Sequence, residues 1–180
     1  MSASTLTRST LLRPMAIGFC GIAALAASSW IAVPMYPVPT TLQTAVVLLM
    51  GALCGPRFGA GIVMAWLGLA FMGAPVLADG NGSPAAFVGP TAGYLASFPI
   101  VAFLAGLVTS KKSFAATGLR AAAFTGLHAI ILGMGFLWLS SLVGTEAAWI
   151  GGVAPFFLGA VLKSGLAAAL VSVLPSFRAR

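Results

Sequence analysis

The sequence predicts an all-α integral membrane protein with six transmembrane helices and both termini in the cytoplasm. Three observations carry that expectation. Hydrophobic residues fill 60% of the 180 positions and charged residues only 6%, against about 25% charged in a soluble domain. Six apolar stretches joined by short breaks each approach the roughly 20 residues of helix that cross a hydrocarbon core. The cations are distributed among the breaks so as to orient the chain. Residues 1–180 therefore read as a single six-helix membrane domain with no room for a separate soluble one.

The first stretch, 14–33, ends at Pro34-Met35-Tyr36-Pro37-Val38-Pro39, because closely spaced prolines cannot continue a helix. A rigid, extended loop is expected there. Arg8 and Arg13 ahead of an apolar run could imitate a secretory signal, but the run continues to Val33 and further spans follow, which favours a retained helix. The second stretch, 41–54, is short for a full crossing, so part of the proline loop is expected to dip inward. Gly55-Pro56-Arg57 reads as a tight inner turn before the third stretch, 58–73. Segment 74–90 holds Asp79, Gly80, Asn81, Gly82 and Ser83, a turn-forming composition that offers polar side chains without helix. The remaining stretches are 91–109, 119–143 and 152–174.

With both ends inside, Arg8, Arg13, Arg57, Lys111, Lys112, Arg120, Arg178 and Arg180 fall on the cytoplasmic side, and Asp79 and Glu146 fall outside. That pattern matches the positive-inside tendency. The scattering of these cations among apolar runs argues against a nucleic-acid surface and for topology signals.

Lys163 breaks the pattern. It lies about eleven residues into the sixth stretch, roughly 16 Å deep at 1.5 Å per residue. A charge at that depth costs from about 2.5 to more than 10 kcal/mol, so it needs a partner, a cavity or neutralisation. A ligand carboxylate is a more economical partner than Asp79 or Glu146, which belong to outer loops; a snorkelling or neutral structural lysine is the alternative. Two outer loops supply polar groups near it, with Tyr36, Thr40, Thr41, Gln43 and Thr44 at the first and Asn81, Ser83, Thr91 and Tyr94 at the second. Each alone also reads as a cap or turn residue.

Other chemistry finds little support. No nucleophile elbow, zinc motif or phosphate-binding loop occurs, so ATP-driven work requires a partner. His128 reads as a packed polar residue in the fifth span. Cys20 and Cys54 read as small core residues without metal-ligand spacing. Gly51, Gly55 and Gly59, like Ala23 and Ala27, give small-xxx-small spacings suited to close packing within the bundle or against a partner.

The ordered blocks Tyr36-Pro37-Val38-Pro39-Thr40-Thr41-Leu42-Gln43-Thr44, Gly51 to Ala60, Gly73-Ala74-Pro75-Val76 and Gly89-Pro90-Thr91-Ala92-Gly93-Tyr94, with Phe157 to Ser164, resemble the BioY family of biotin transporters. The resemblance implies a substrate-capture component of an energy-coupling-factor transporter in the bacterial inner membrane. It would bind biotin near the outer face without a cofactor, and would be neither an enzyme nor a metal protein. The implied partners are a transmembrane coupling protein and its ABC ATPases, docked through Ala23 and Ala27, with a second copy of the chain as a further candidate. Implied binding residues are Lys163 for the carboxylate, Asn81 for the ureido group, and Tyr36, Thr40, Gln43, Thr91, Gly93 and Tyr94 around them. The family's last helix often reads Gly-Asp-x-x-Lys, whereas this chain has Ala160 at the Asp position. A component for another vitamin, or a membrane enzyme acting on lipid or peptide, are the competing readings.

Overall fold

The computed structural model describes residues 3–177, with side chains from residue 12 onward. Arg178 and Arg180 lie outside the described residues, as does the side chain of Arg8. Helix α1 (Ala3–Trp30) starts well before residue 14 and carries Pro14 inside it, at the loss of one backbone hydrogen bond. It stops at Trp30 because the next residues pair as strands. β1 (Ala32–Val33) and β2 (Thr40–Thr41) run antiparallel, with Ala32 opposite Thr41 and Val33 opposite Thr40. The expected extended loop is thus the tip of a small hairpin, in which the Tyr36-Pro37 peptide is cis.

Helices α2 (Gln43–Cys54) and α3 (Pro56–Phe71) meet at Gly55, whose φ of 89° is a conformation glycine adopts without steric cost. Segment 74–90 is irregular apart from single 3₁₀ turns at Ala78–Gly80 and Pro84–Phe87. Helices α4 (Ala92–Ser110) and α5 (Thr117–Val143) follow. The outer break before the last stretch is itself helical, forming α6 (Thr145–Gly152), and α7 (Phe156–Val173) begins only after Pro155. Four segments are long and apolar enough to cross a bilayer, namely Leu12–Trp30 of α1, α4, α5 and α7; α2 and α3 are shorter. Large apolar side chains such as Leu137, Leu158 and Leu162 lie exposed on these helices, as expected where lipid is the solvent.

Small residues set how closely the helices approach. A methyl group on Gly51 would run into the backbone of Ala102 on α4, and one on Gly106 would meet Gly55 and Pro56. Gly59 faces the backbone of Met50 and Gly51 in the same way. The glycine spacing at this turn therefore serves internal packing. Between these helices lies a core in which fully buried Trp66 stacks on Phe98, ring centroids 6.2 Å apart and planes 16° from parallel. Cys54 belongs to that core but Cys20 does not. Helix α1 buries Gly21, Leu25, Ser28 and Ser29, which leaves Cys20 on the outward face.

Hydrogen bonds define the two ends of the bundle. At one end Thr109 Oγ1 donates to Ala52 O at 3.2 Å and Phe177 N to Leu53 O at 2.8 Å. There too Arg120 donates to Ser172 Oγ at 3.0 Å, Ala168 O at 3.3 Å and Ala115 O at 3.0 Å. Arg57, Lys111, Lys112 and Arg120 belong to elements that meet at this end. At the other end Tyr94 donates to Gly152 O at 2.7 Å, Trp138 Nε1 to Gly89 O at 2.9 Å, and the Trp30 ring lies against Gly80. Asp79 and Glu146 belong to that second group.

Gly51→Ala is expected to destabilise the protein by about 1–3 kcal/mol through overpacking against α4, read as a lower unfolding temperature in detergent. Gly126→Ala, where nothing lies within 4 Å of an added methyl, serves as the control. Equal unfolding temperatures for the two variants would contradict the packing account.

Candidate ligand cavity

A cavity of about 590 Å³ lies between α2, α4, α5 and α7, beneath the hairpin tip and segment 74–90. That volume falls within the usual range for small-molecule sites, roughly 300–1,000 Å³. Its walls are apolar, from Leu95 and Phe98 on α4, Ile131 and Leu132 on α5, and Phe156 on α7. Polar groups come from Gln43 and Thr44 on α2, His128 on α5 and Lys163 on α7, while Asp79 and Asn81 come from the covering segment and Thr91 from the cap of α4.

Lys163 Nζ donates to Thr41 O at 2.7 Å, tying α7 to the second hairpin strand. Because α7 starts at Phe156, Lys163 stands about 10 Å along the helix from its first residue. Helical side chains lean toward the N-terminal turn, and here the lysine stem passes Gly159, where an added methyl would make ordinary contact with Lys163 Cε at 3.7 Å. Ala160 also lines the cavity.

Gln43, His128 and Thr44 have partners that fix their positions. Gln43 is buried and its Nε2 donates to Ser29 Oγ at 2.6 Å, linking α2 to α1. His128 is 3% exposed; its Nε2 lies 3.0 Å from Thr44 Oγ1 and its Nδ1 lies 2.8 Å from Ser164 Oγ. The segment above is held by Trp66 Nε1, which donates to Val76 O at 3.1 Å, and by the Trp138 bond to Gly89.

The sequence-derived candidates divide accordingly. Lys163, Gln43, Asn81, Thr91 and Tyr94 line the cavity. Tyr94 contributes its ring, since its hydroxyl is engaged with Gly152 and the ring packs on Gly135. Tyr36 is 93% exposed on the hairpin tip, and Thr40 Oγ1 bonds Met35 Sδ at 3.3 Å; neither lines the cavity. Gly93 also lies outside it, because a methyl there would meet Met134 and Trp138 of α5. Ala23 and Ala27 are exposed on α1. His128 and Thr44 are the additions. A lone histidine in an apolar helix carries a signal of its own, since a buried ring must find hydrogen-bond partners.

An ammonium, a hydroxyl and an imidazole under apolar walls suit an amphipathic ligand with a polar or anionic end. A helical membrane bundle enclosing such a cavity defines a class, the membrane-embedded small-molecule binder. The family model for BioY matches residues 1–180, and the chain belongs to the BioY family. It is similar to the probable biotin transporter BioY of Pyrococcus horikoshii, with 36% identity over 146 residues covering 81% of this chain and 86% of that one. It is also similar to the biotin transporter BioY of Rhodobacter capsulatus, with 32% identity covering 82% and 84%. The crystal structure of the S-component for biotin from an ECF-type ABC transporter superposes with a TM-score of 0.77 at 27% identity, covering 96% of this chain and 93% of that one.

Tyr94→Phe is expected to cost about 1 kcal/mol of stability by leaving Gly152 O without its donor. Thermal unfolding in detergent checks this, and an unchanged midpoint would discount the bond.

Proposed function

We propose that this chain is the biotin-binding S component of an ECF-type transporter. It takes biotin from the outer side of a bacterial inner membrane, and a transmembrane coupling protein with its ABC ATPases powers uptake. The observation that carries this reading is Lys163, a cation inside an apolar cavity whose dimensions and polar rim suit a bicyclic ligand with a carboxylate tail. Membership of a family whose relatives are named biotin transporters supports biotin over another vitamin, and transport over the enzymatic alternative.

In this reading the carboxylate takes Lys163 and the ureido group takes Asn81 with neighbouring Thr91 and Gln43. The bicycle lies against Tyr94, Phe98 and Leu95. Tyr36 and Thr40 act from the hairpin, which shields the ligand when it closes, and Gly93 keeps α4 on α5. The Lys163 bond to Thr41 O couples the two events, since the ammonium that receives the carboxylate also holds the second hairpin strand. Six crossings, with α2 and α3 as the short ones, put both termini in the cytoplasm. The gathering of Arg57, Lys111, Lys112 and Arg120 at the end opposite the cavity supports that orientation. Exposed Ala23 and Ala27 offer a close-packing face for the coupling protein.

Lys163→Ala is expected to weaken biotin binding by about tenfold to a hundredfold, the weight of a hydrogen-bonded charge, while the protein still inserts. Titration of the purified variant with labelled biotin measures this. Equal affinity would remove Lys163 from the site, and absence of saturable binding by the unaltered protein would overturn biotin as its ligand. Reporter fusions address orientation separately: a C-terminal fusion active only in the periplasm would reverse the topology.

A further inference from the structure

A buried hydroxyl, Ser164, and a half-buried one, Thr44, flank His128, and counting their protons fixes what the cavity floor offers a ligand. Ser164 is fully buried, and His128 Nδ1 at 2.8 Å is its side-chain partner among the described residues. A buried hydroxyl left without an acceptor costs about 1–3 kcal/mol, so Ser164 O–H donates and Nδ1 accepts. Phe124 O, at 3.3 Å from Nδ1, is the acceptor a proton on Nδ1 would use, but it is the longer contact and gives the Ser164 O–H nothing to bond. The ring proton then resides on Nε2, which donates to Thr44 Oγ1 at 3.0 Å. With its oxygen occupied as an acceptor, Thr44 has its own O–H left to donate; Thr44 and Lys163 line the same cavity, and Lys163 Nζ is held at Thr41 O, three residues before Thr44. An imidazolium, or the opposite tautomer, would leave Ser164 O–H with no acceptor.

We infer that His128 is a positioning residue that relays the polarity of Ser164 to Thr44, so that Thr44 and Lys163 together present donors to an oxygen acceptor of the ligand. Lys163 keeps one proton on Thr41 O and has two more to offer. The floor therefore selects an oxygen anion such as a carboxylate over a group that must itself donate. This inference rests on Lys163 as the carboxylate anchor proposed above, and it adds a second donor to that anchor.

The chain has one histidine, so nitrogen NMR of the full-length protein labelled at histidine, in lipid nanodiscs, reads the tautomer without assignment. A proton on Nε2 with Nδ1 bare is the expected result. A proton on Nδ1 would overturn the relay even if every variant were unstable. Thr44→Val is then expected to weaken biotin roughly tenfold and to lower the preference for biotin over biotinol, its alcohol analogue; Thr44→Ser retains both. His128→Gln, whose carbonyl can accept from Ser164 and whose amide can donate to Thr44, is expected to retain most affinity where His128→Leu loses it. If Lys163→Ala weakens biotin but Thr44→Val leaves affinity and preference unchanged, the relay is wrong and the site stands. If Lys163→Ala itself has no effect, the underlying carboxylate assignment fails instead.

Discussion

The interaction on which the rest of the interior depends is the 2.7 Å bond from Lys163 Nζ to Thr41 O. An ammonium in a low-dielectric bundle must keep its donors satisfied or draw in water. Thr41 lies in a strand before α2 rather than within a helix, so its carbonyl is not consumed by an i→i−4 ladder. That one contact ties α7 to the hairpin over the cavity and holds the ammonium against a carbonyl.

The same solution recurs at the opposite end. Arg120 is buried and directs its guanidinium to Ala168 O, Ala115 O and Ser172 Oγ. A chain with nine basic and two acidic residues has few carboxylates to compensate its cations. Carbonyls and hydroxyls take their place. This gives Ala160 a physical context: Lys163 has an oxygen partner in Thr41 without a carboxylate one turn earlier. Around it, two hydroxyls, from α2 and α7, bond in series through one imidazole on α5, while the walls remain apolar.

How much of this was legible in sequence varied with the range of the cause. The proline cluster announced the end of α1, but pairing of Ala32–Val33 with Thr40–Thr41 depends on contacts across the turn and left no period to read. Helix α6 was hidden because 144–151 contains glycines and Glu146, which resemble a loop until Gly144 is seen to open it and Val153 to close it. Tyr36 belongs to a polar-aromatic block yet is exposed, and Gly93 sits in a ligand-like motif yet serves helix packing. His128 stood 84 residues from Thr44 and 36 from Ser164, so no local spacing could join them.

The sequence alone determined the solvent of the fold, the apolar segments, the orientation signal in the cations and the presence of one charge that violates it. These follow from composition and from periodicities set within a single helix. Only the tertiary structure decided which polar side chains share a cavity, which are spent on packing, and that Lys163 is held by the carbonyl of Thr41. Those outcomes depend on how closely glycine-lined helices approach, and that distance is set jointly by residues far apart in the chain.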